Sequence, residues 1–423
     1  MFKALLGSSA LAALAFLYAS SAPAQAEATA PTLKINGFSN ANAYFYNQTR
    51  RDNGRGGPQP HLALDASDLY LTIAGRTASG LEYKYKVTLN VVAGEDIVDS
   101  NYIELNGKFG VFQVGNVSGP TNTMVYDASR IIGGTGGFEG GFTNVFNVAS
   151  WAIFKNDNIG DPGKATKVAY YTPEFGGGFV IGVAYTPNTD KFGSPKVNNQ
   201  SGNGLPNTNG NRGVWNDKGR LPFGLRNVSA GITYKKEIGK WGFTLSAAGV
   251  TEKSYYHEPT QAGYRISLKN ANSFQTGAII SYDKFQFGLG YLDNGTSRLP
   301  RTAGFLVNGV SLGNTNQGNA GRSYNVGVGY TFGAYKIAAA YQKTSRKTDA
   351  TQKATNEMYT ATLDVVPFQG FKGYVEVDHI RSRSNATAVA IDNALLARSA
   401  KTPTVGILSN TGTVLILGTA VSF

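Results

Sequence analysis

The sequence predicts an all-β fold, a transmembrane antiparallel β-barrel of about sixteen strands. Three observations carry that prediction. Short stretches in which apolar and polar residues alternate recur in pairs, the connections between them alternate in length, and Tyr and Phe collect at their ends. Composition agrees: among 423 residues are 53 Gly, 23 Tyr and 23 Phe, while only 16% are charged. The absence of Cys removes disulfide scaffolds and Cys-ligated metal centres. A helical membrane bundle would need runs of about 18 or more apolar residues, which the chain beyond its N-terminal segment lacks. Disorder is opposed by a hydrophobic content of 41%.

The N-terminus precedes the fold. Lys3 is followed by an apolar stretch from Ala4 to about Ala19 and a small-x-small site ending Ala24-Gln25-Ala26. A positive residue, a short apolar core and small residues are the parts of a secretory signal peptide, so residues 1–26 are expected to be removed and 27–423 to form the barrel. Cleavage takes away Lys3 and lowers the formal charge from +12 to +11. Export makes nucleic acid an improbable partner for that basicity. Arg50, Arg51 and Arg55 fall in a long polar stretch, where an outer-membrane location would set them against lipopolysaccharide phosphates.

A lone first strand from Leu33 to about Tyr46 leads into seven hairpins. In the first, Leu81, Tyr83, Tyr85, Val87 and Leu89 fall on one face, with Glu82, Lys84, Lys86 and Thr88 on the other. Successive side chains of a strand point to opposite faces, and about 9–11 residues cross a bilayer. The other hairpins turn at residues 107–110, 173–178, 238–240, 283–284, 333–334 and 367–370, and a last strand runs from about Asn410 to Phe423. Between hairpins lie much longer connections, at 47–61, 118–165, 187–226, 253–272, 294–321 and 383–409, with shorter ones near 93–97 and 345–355. Antiparallel strands send alternate connections to opposite ends, so the long loops share one end, as in outer-membrane barrels. Aromatics at strand ends, including Tyr170, Tyr171, Phe179, Tyr234, Trp241 and Tyr282, suit interfacial girdles. Glycines within strands (Gly231, Gly277, Gly288, Gly290, Gly327 and Gly329) suit coiled strands or close backbone approach.

The chain ends TVLILGTAVSF, with Thr413, Leu415, Leu417, Thr419, Val421 and Phe423 on one face. With the opening LKINGFSNANAYFY, the segment YYTPEFGGGFVIGVAYTP and the strand count, it resembles the Gram-negative general porins of the α/β-proteobacterial type over essentially all of residues 27–423. PEFGG here is Pro173–Gly177, at a predicted periplasmic turn, whereas enterobacterial porins carry that motif within the third external loop. The resemblance implies a homotrimer in the outer membrane and a terminal Phe423 read by the assembly machinery. It also implies passage of small hydrophilic solutes, and an inward-folded third loop over 118–165.

A barrel of this size leaves an aqueous channel, so its chemistry lies in what narrows and charges the lumen. Alternation points Arg76, Lys84 and Lys86 inward, with Glu82 and Glu104 beside them. The loop charges are Asp127, Arg130, Glu139, Lys155, Asp157, Asp161 and Lys164, and Asp127, Arg130 and Glu139 are the constriction candidates. The resemblance implies acidic loop residues opposed to this basic wall, and the excess of lumenal Lys and Arg gives a weak anion preference as the expected outcome. Two alternatives stand: a substrate-specific porin with a saturable site for an anionic solute or sugar, and a structural or adhesive surface barrel. His61, His257 and His379 are isolated, and GGTGG at 133–137 has no GK[ST] behind it, so neither catalysis nor a cofactor is expected.

Overall fold

The computed structural model describes residues 28–49, 60–92, 97–146, 158–189, 222–257, 265–299, 301, 306–307, 310–311, 318–347, 353–384 and 409–423. The signal peptide predicted over residues 1–26 lies outside them, as do Lys155 and Asp157. The wall has sixteen strands. The first eight are β1 (Thr29–Gln48), β2 (His61–Arg76), β3 (Glu82–Asn90), β4 (Val98–Gly107), β5 (Gly110–Asn116), β6 (Thr166–Tyr171), β7 (Phe179–Asn188) and β8 (Pro222–Ile238). The second eight are β9 (Trp241–His257), β10 (Ala271–Tyr282), β11 (Phe285–Asp293), β12 (Asn319–Phe332), β13 (Tyr335–Lys347), β14 (Lys353–Phe368), β15 (Phe371–Arg383) and β16 (Ser409–Ser422). A short strand, Arg265–Ser267, extends the ladder of β9, and Leu306–Val307 pairs with Val310–Ser311 in a separate hairpin.

Each wall strand is antiparallel to its neighbours, and β1 pairs with both β2 and β16, from Phe38 opposite Ser422 to Gln48 opposite Gly412. Closure of this kind satisfies the backbone N–H and C=O groups that lipid would leave stranded. All seven predicted hairpin turns are present at one end, and the long connections share the other. Several strands exceed the expected lengths: β1 has 20 residues, and β8 and β9 have 17 each. Beyond the bilayer, water accepts both faces of a strand, so alternation fades there and the sequence pattern marks only the embedded part.

Alternation sets the two surfaces. Leu33, Ile35, Ile73, Tyr85, Ile181 and Leu245 are exposed outward, whereas Thr233, Ser246, Gln275, Asn325, Glu376 and Asp378 turn inward and are buried. Ring pairs follow the turn end around the outside: Phe179–Tyr234, Trp241–Tyr282 and Phe285–Tyr330 have centroids 4.6, 4.7 and 4.5 Å apart. Tyr324, Tyr341 and Tyr359 make a second band across β12–β14. Tyr170 is outward, but Tyr171, expected in the girdle, turns into the lumen, where its hydroxyl lies 3.2 Å from Thr123 Oγ1. It follows an outward Tyr170 on the same strand, and only one of two successive side chains can face lipid.

β5 and β6 are short, seven and six residues, and the connection between them folds into the barrel. It contains a helical turn at Pro120–Thr123 and 3-10 turns at Ala128–Arg130, Gly137–Glu139 and Gly141–Asn144. The main apolar core lies inside the barrel. Ile132, Phe138, Phe142 and Phe146 of the loop pack against Tyr44, Met358, Ile380, Val414 and Ile416 of the wall. Each such side chain contributes about 1.5–3 kcal/mol when fully buried, which favours a loop held against the wall over one in solvent.

Candidate pore constriction

The wall glycines are spaces for the loop. A Cβ at Gly231 would approach Met124 and Pro120, and one at Gly277 would lie 2.2 Å from Tyr126 O. At Gly288 it would meet Ala128 and Ile131, at Gly290 Asp127, and at Gly329 Ile131. The glycines read from sequence as coil relief or close approach therefore mark a track across β8 and β10–β12, along which residues 120–131 lie on the bare backbone.

Hydrogen bonds fasten the loop along that track. Gln275 Nε2 donates to Thr121 O at 2.5 Å, Tyr126 N to Ser246 Oγ at 2.9 Å, and Ala128 N to Asn325 Oδ1 at 3.1 Å. The glycine run then meets carboxylates. Gly134 N donates to Asp364 Oδ1 at 2.7 Å, while Thr135 N and Oγ1 donate to Glu376 Oε2 at 2.5 and 2.8 Å. Gly134 and Gly136 have φ of 61° and 111°, the left-handed region in which glycine avoids the Cβ clash, so the turn that offers these amides needs this composition. Further on, Asn144 Nδ2 donates to Asp65 Oδ1 at 2.7 Å, and Asp65 also accepts from Asn42 and Tyr44. At the neck, the Lys167 ammonium is 1% exposed and donates to Val117 O, to Gly163 O at 2.7 Å and to Ala165 O at 2.6 Å, joining both stems of the loop.

The loop thus lies along β7–β16 and on across β1 to Asp65 of β2, and leaves the turn-side half of β2 and β3–β5 facing open lumen. On that open wall the predicted cations are largely paired. Arg76 Nη2 is 2.8 Å from Glu82 Oε1, and Lys84 Nζ is 2.9 Å from Glu104 Oε1, whose other oxygen accepts from Gln113. Lys86 has no ion pair among the described residues and sits 5.8 Å from the Tyr102 ring centre. Of the loop candidates, Arg130 is exposed, and its guanidinium donates to Val125 O and Asn122 O at 3.2 and 3.0 Å. Glu139 is also exposed. These two line a recess of about 290 Å³ with Asp127, Ser129 and Thr135.

Asp127 is only 2% exposed. It caps the 3-10 turn by accepting from Ser129 N at 2.9 Å, and it accepts from Asn325 Nδ2 at 2.9 Å. Its carboxylate faces the wall and holds the loop, because an N-terminal helical turn leaves amides that an Asp satisfies. Lys164 pairs with Asp99, and Asp161 accepts from Gly163 N at 3.0 Å within the loop's return.

Sequence reasoning did not single out the aromatic lining. Tyr126 presents its ring 4.4 Å from Lys235 Nζ, and its hydroxyl accepts from that nitrogen at 2.9 Å. Lys235 is on β8, and the alternation Gly231, Thr233, Lys235 carries the signal for its inward direction. Tyr126 lies in a loop, where no periodicity gives direction.

A sixteen-strand closed wall, a loop bound inside it and an open charged gap define a channel architecture, and comparison with known proteins gives its family. The family model described as Gram-negative porin matches residues 10–364. The chain belongs to the Gram-negative porins. This porin is 24% identical over 380 residues to an uncharacterized protein of Rickettsia conorii, an alignment covering 77% of the porin and 83% of the relative. It is 25% identical over 243 residues to one from Rickettsia bellii, where it spans about half the relative's length (51%). Among solved structures, the anion-selective porin from Comamonas acidovorans superimposes with TM-score 0.56 at 15% identity, covering 93% of this porin and 100% of that chain. OmpT of Vibrio cholerae in its trimer form superimposes with TM-score 0.55 at 11% identity, with the same coverage. At these identities the likeness concerns the fold: a sixteen-strand outer-membrane barrel.

Proposed function

We propose that this porin is a water-filled channel through which small hydrophilic solutes and ions diffuse passively, with a weak preference for anions, and that it works as a homotrimer. The observation that carries the anion preference is how lumenal charges are committed. Asp127, Asp364 and Glu376 accept from loop amides, and Asp65 accepts from neutral side chains. Glu82 and Glu104 are matched by Arg76 and Lys84. Arg130 and Lys235 are exposed and Lys86 is half-buried, each held by tyrosine rings, a phenol or backbone carbonyls, so that, unlike the buried Asp127, Asp364 and Glu376, they present their charge to a passing ion. Exposed Glu139 and Glu174 oppose them, which keeps the preference weak. The trimeric OmpT fold supports the oligomer.

The reversal potential across a KCl gradient in planar bilayers tests this reading. It should take the sign of a chloride-preferring channel, and clear cation selectivity would overturn the preference. Replacing Lys84 and Lys86 by Glu should move the potential towards cations. An unchanged potential would remove those residues from the constriction. Signal cleavage after Ala26, recognition of Phe423 by the assembly machinery and lipopolysaccharide contact by the external loops belong to the same proposal.

A further inference from the structure

A second feature of the lumen goes beyond bulk diffusion. Between the first stretch of the loop and strands β4–β8 lies a chamber of about 620 Å³, within the range of about 300–1,000 Å³ typical of small-molecule sites. We propose that this chamber is a saturable subsite for a small hydroxylated monocarboxylate, of the sugar-acid class, with Lys235 and Tyr126 binding its carboxylate. The proposal rests on the channel reading and adds a ligand class and a place.

The head-group site follows from donor geometry. An ammonium carries three N–H donors and no acceptor. Tyr126 Oη takes one at 2.9 Å, and Lys235 has no carboxylate partner among the described residues. The phenol that accepts this bond still has its own O–H to donate. Lys235 and Tyr126 therefore present convergent donors from strand and loop, suited to the two oxygens of one carboxylate. Charge-assisted bonds of this kind are the stronger ones.

The pair is also held in place. Tyr126 N is bound to Ser246 Oγ at 2.9 Å, and Gly277 leaves room for Tyr126 O against β10. A ring whose backbone is already pinned loses little freedom when a solute arrives, which is the advantage of preorganisation.

The rest of the lining selects the body and the charge. Ser100, Gln113, Thr123 and Thr233 place oxygens, and Val117 and Met124 apolar atoms, around the chamber, a mixed lining that suits the alternating O–H and C–H groups of a polyol. Lys164 also borders the chamber, but its charge is matched by Asp99. Glu174, exposed at the periplasmic turn between β6 and β7, borders it too. A second negative charge on the solute would face that carboxylate, so a monoanion is favoured over a dianion.

Gluconate, with glucose and acetate as comparators, probes the subsite as current block of single channels in KCl. Gluconate should block saturably, and glucose and acetate should each need a concentration about tenfold higher for the same block. Lys235→Gln should raise the half-blocking gluconate concentration about tenfold or more, Tyr126→Phe by a smaller factor, and Lys235→Arg should largely preserve it. Unchanged heat-modifiability on gels in each variant verifies the folded barrel, because Lys235 also acts on the permeating ions. Gluconate block that rises without saturation, glucose acting as well as gluconate, or a Lys235→Gln channel with unchanged block would each overturn the subsite while leaving the channel intact. Absence of any KCl conductance in the unmodified protein would overturn the channel reading, and the subsite with it.

Discussion

At Gly277 one missing methyl group determines where the loop lies. A Cβ there would stand 2.2 Å from a backbone oxygen, that of Tyr126, and backbone cannot rotate away as a side-chain end can. Gly277→Val should therefore push the loop towards the open wall at an overpacking cost of about 1–3 kcal/mol. Its single-channel KCl conductance should fall, while the heat-modifiability of the barrel on gels should persist, because the strand ladder with β9 and β11 is untouched. Unchanged conductance would show that this contact does not position the loop. A strand glycine is legible in sequence as a place where something comes close. Whether the neighbour is a twisted strand or a loop from more than a hundred residues away is not, since both require the same absent atom.

For the loop as an element, the acidic residues of β14 and β15 matter as much as its own composition. Asp364 and Glu376 accept three hydrogen bonds from Gly134 and Thr135, and Lys372 adds a bond to Gly134 O at 3.0 Å. Bonds to charged acceptors are worth about 1.5–3 kcal/mol each. Replacing both Asp364 and Glu376 by Ala should free this end of the loop, seen as noisier open-channel current and closure at lower applied voltage in bilayer recordings. Traces indistinguishable from the unmodified channel would refute that anchoring role. The apolar anchors leave a fainter trace in sequence. Val414, Leu415, Ile416 and Leu417 run without alternation, the pattern of a strand covered on both faces, and Val414 and Ile416 prove to be fully buried against the loop.

Over the whole molecule, closure depends on the two ends of the chain meeting. Phe423 N donates to Gly37 O at 3.0 Å and accepts through its own carbonyl from Gly37 N at 2.9 Å, while its ring, 73% exposed, lies over the bare Gly37. Deleting Phe423 removes two ladder bonds, worth about 1–3 kcal/mol together, and uncovers Gly37. The barrel should then unfold at lower temperature on a heat-modifiability gel. An unaltered transition would leave the terminal residue no part in closure.

The wall was legible in the sequence because each strand's character is local. Alternation between Tyr83, Tyr85 and Val87 on one side and Lys84 and Lys86 on the other reports its two surroundings without reference to any distant residue, and the alternating connection lengths order the strands. The constriction was only partly legible. Sequence placed Lys84, Lys86, Arg130 and Glu139 among the lumenal charges, yet not the pairing of Lys84 with Glu104, nor the use of Asp127 as a cap bonded to Asn325. A charge has the same identity whether it faces water or closes a hydrogen bond. Its partner is chosen by contacts between strands and a loop far apart in the chain, and only the closed barrel brings those together.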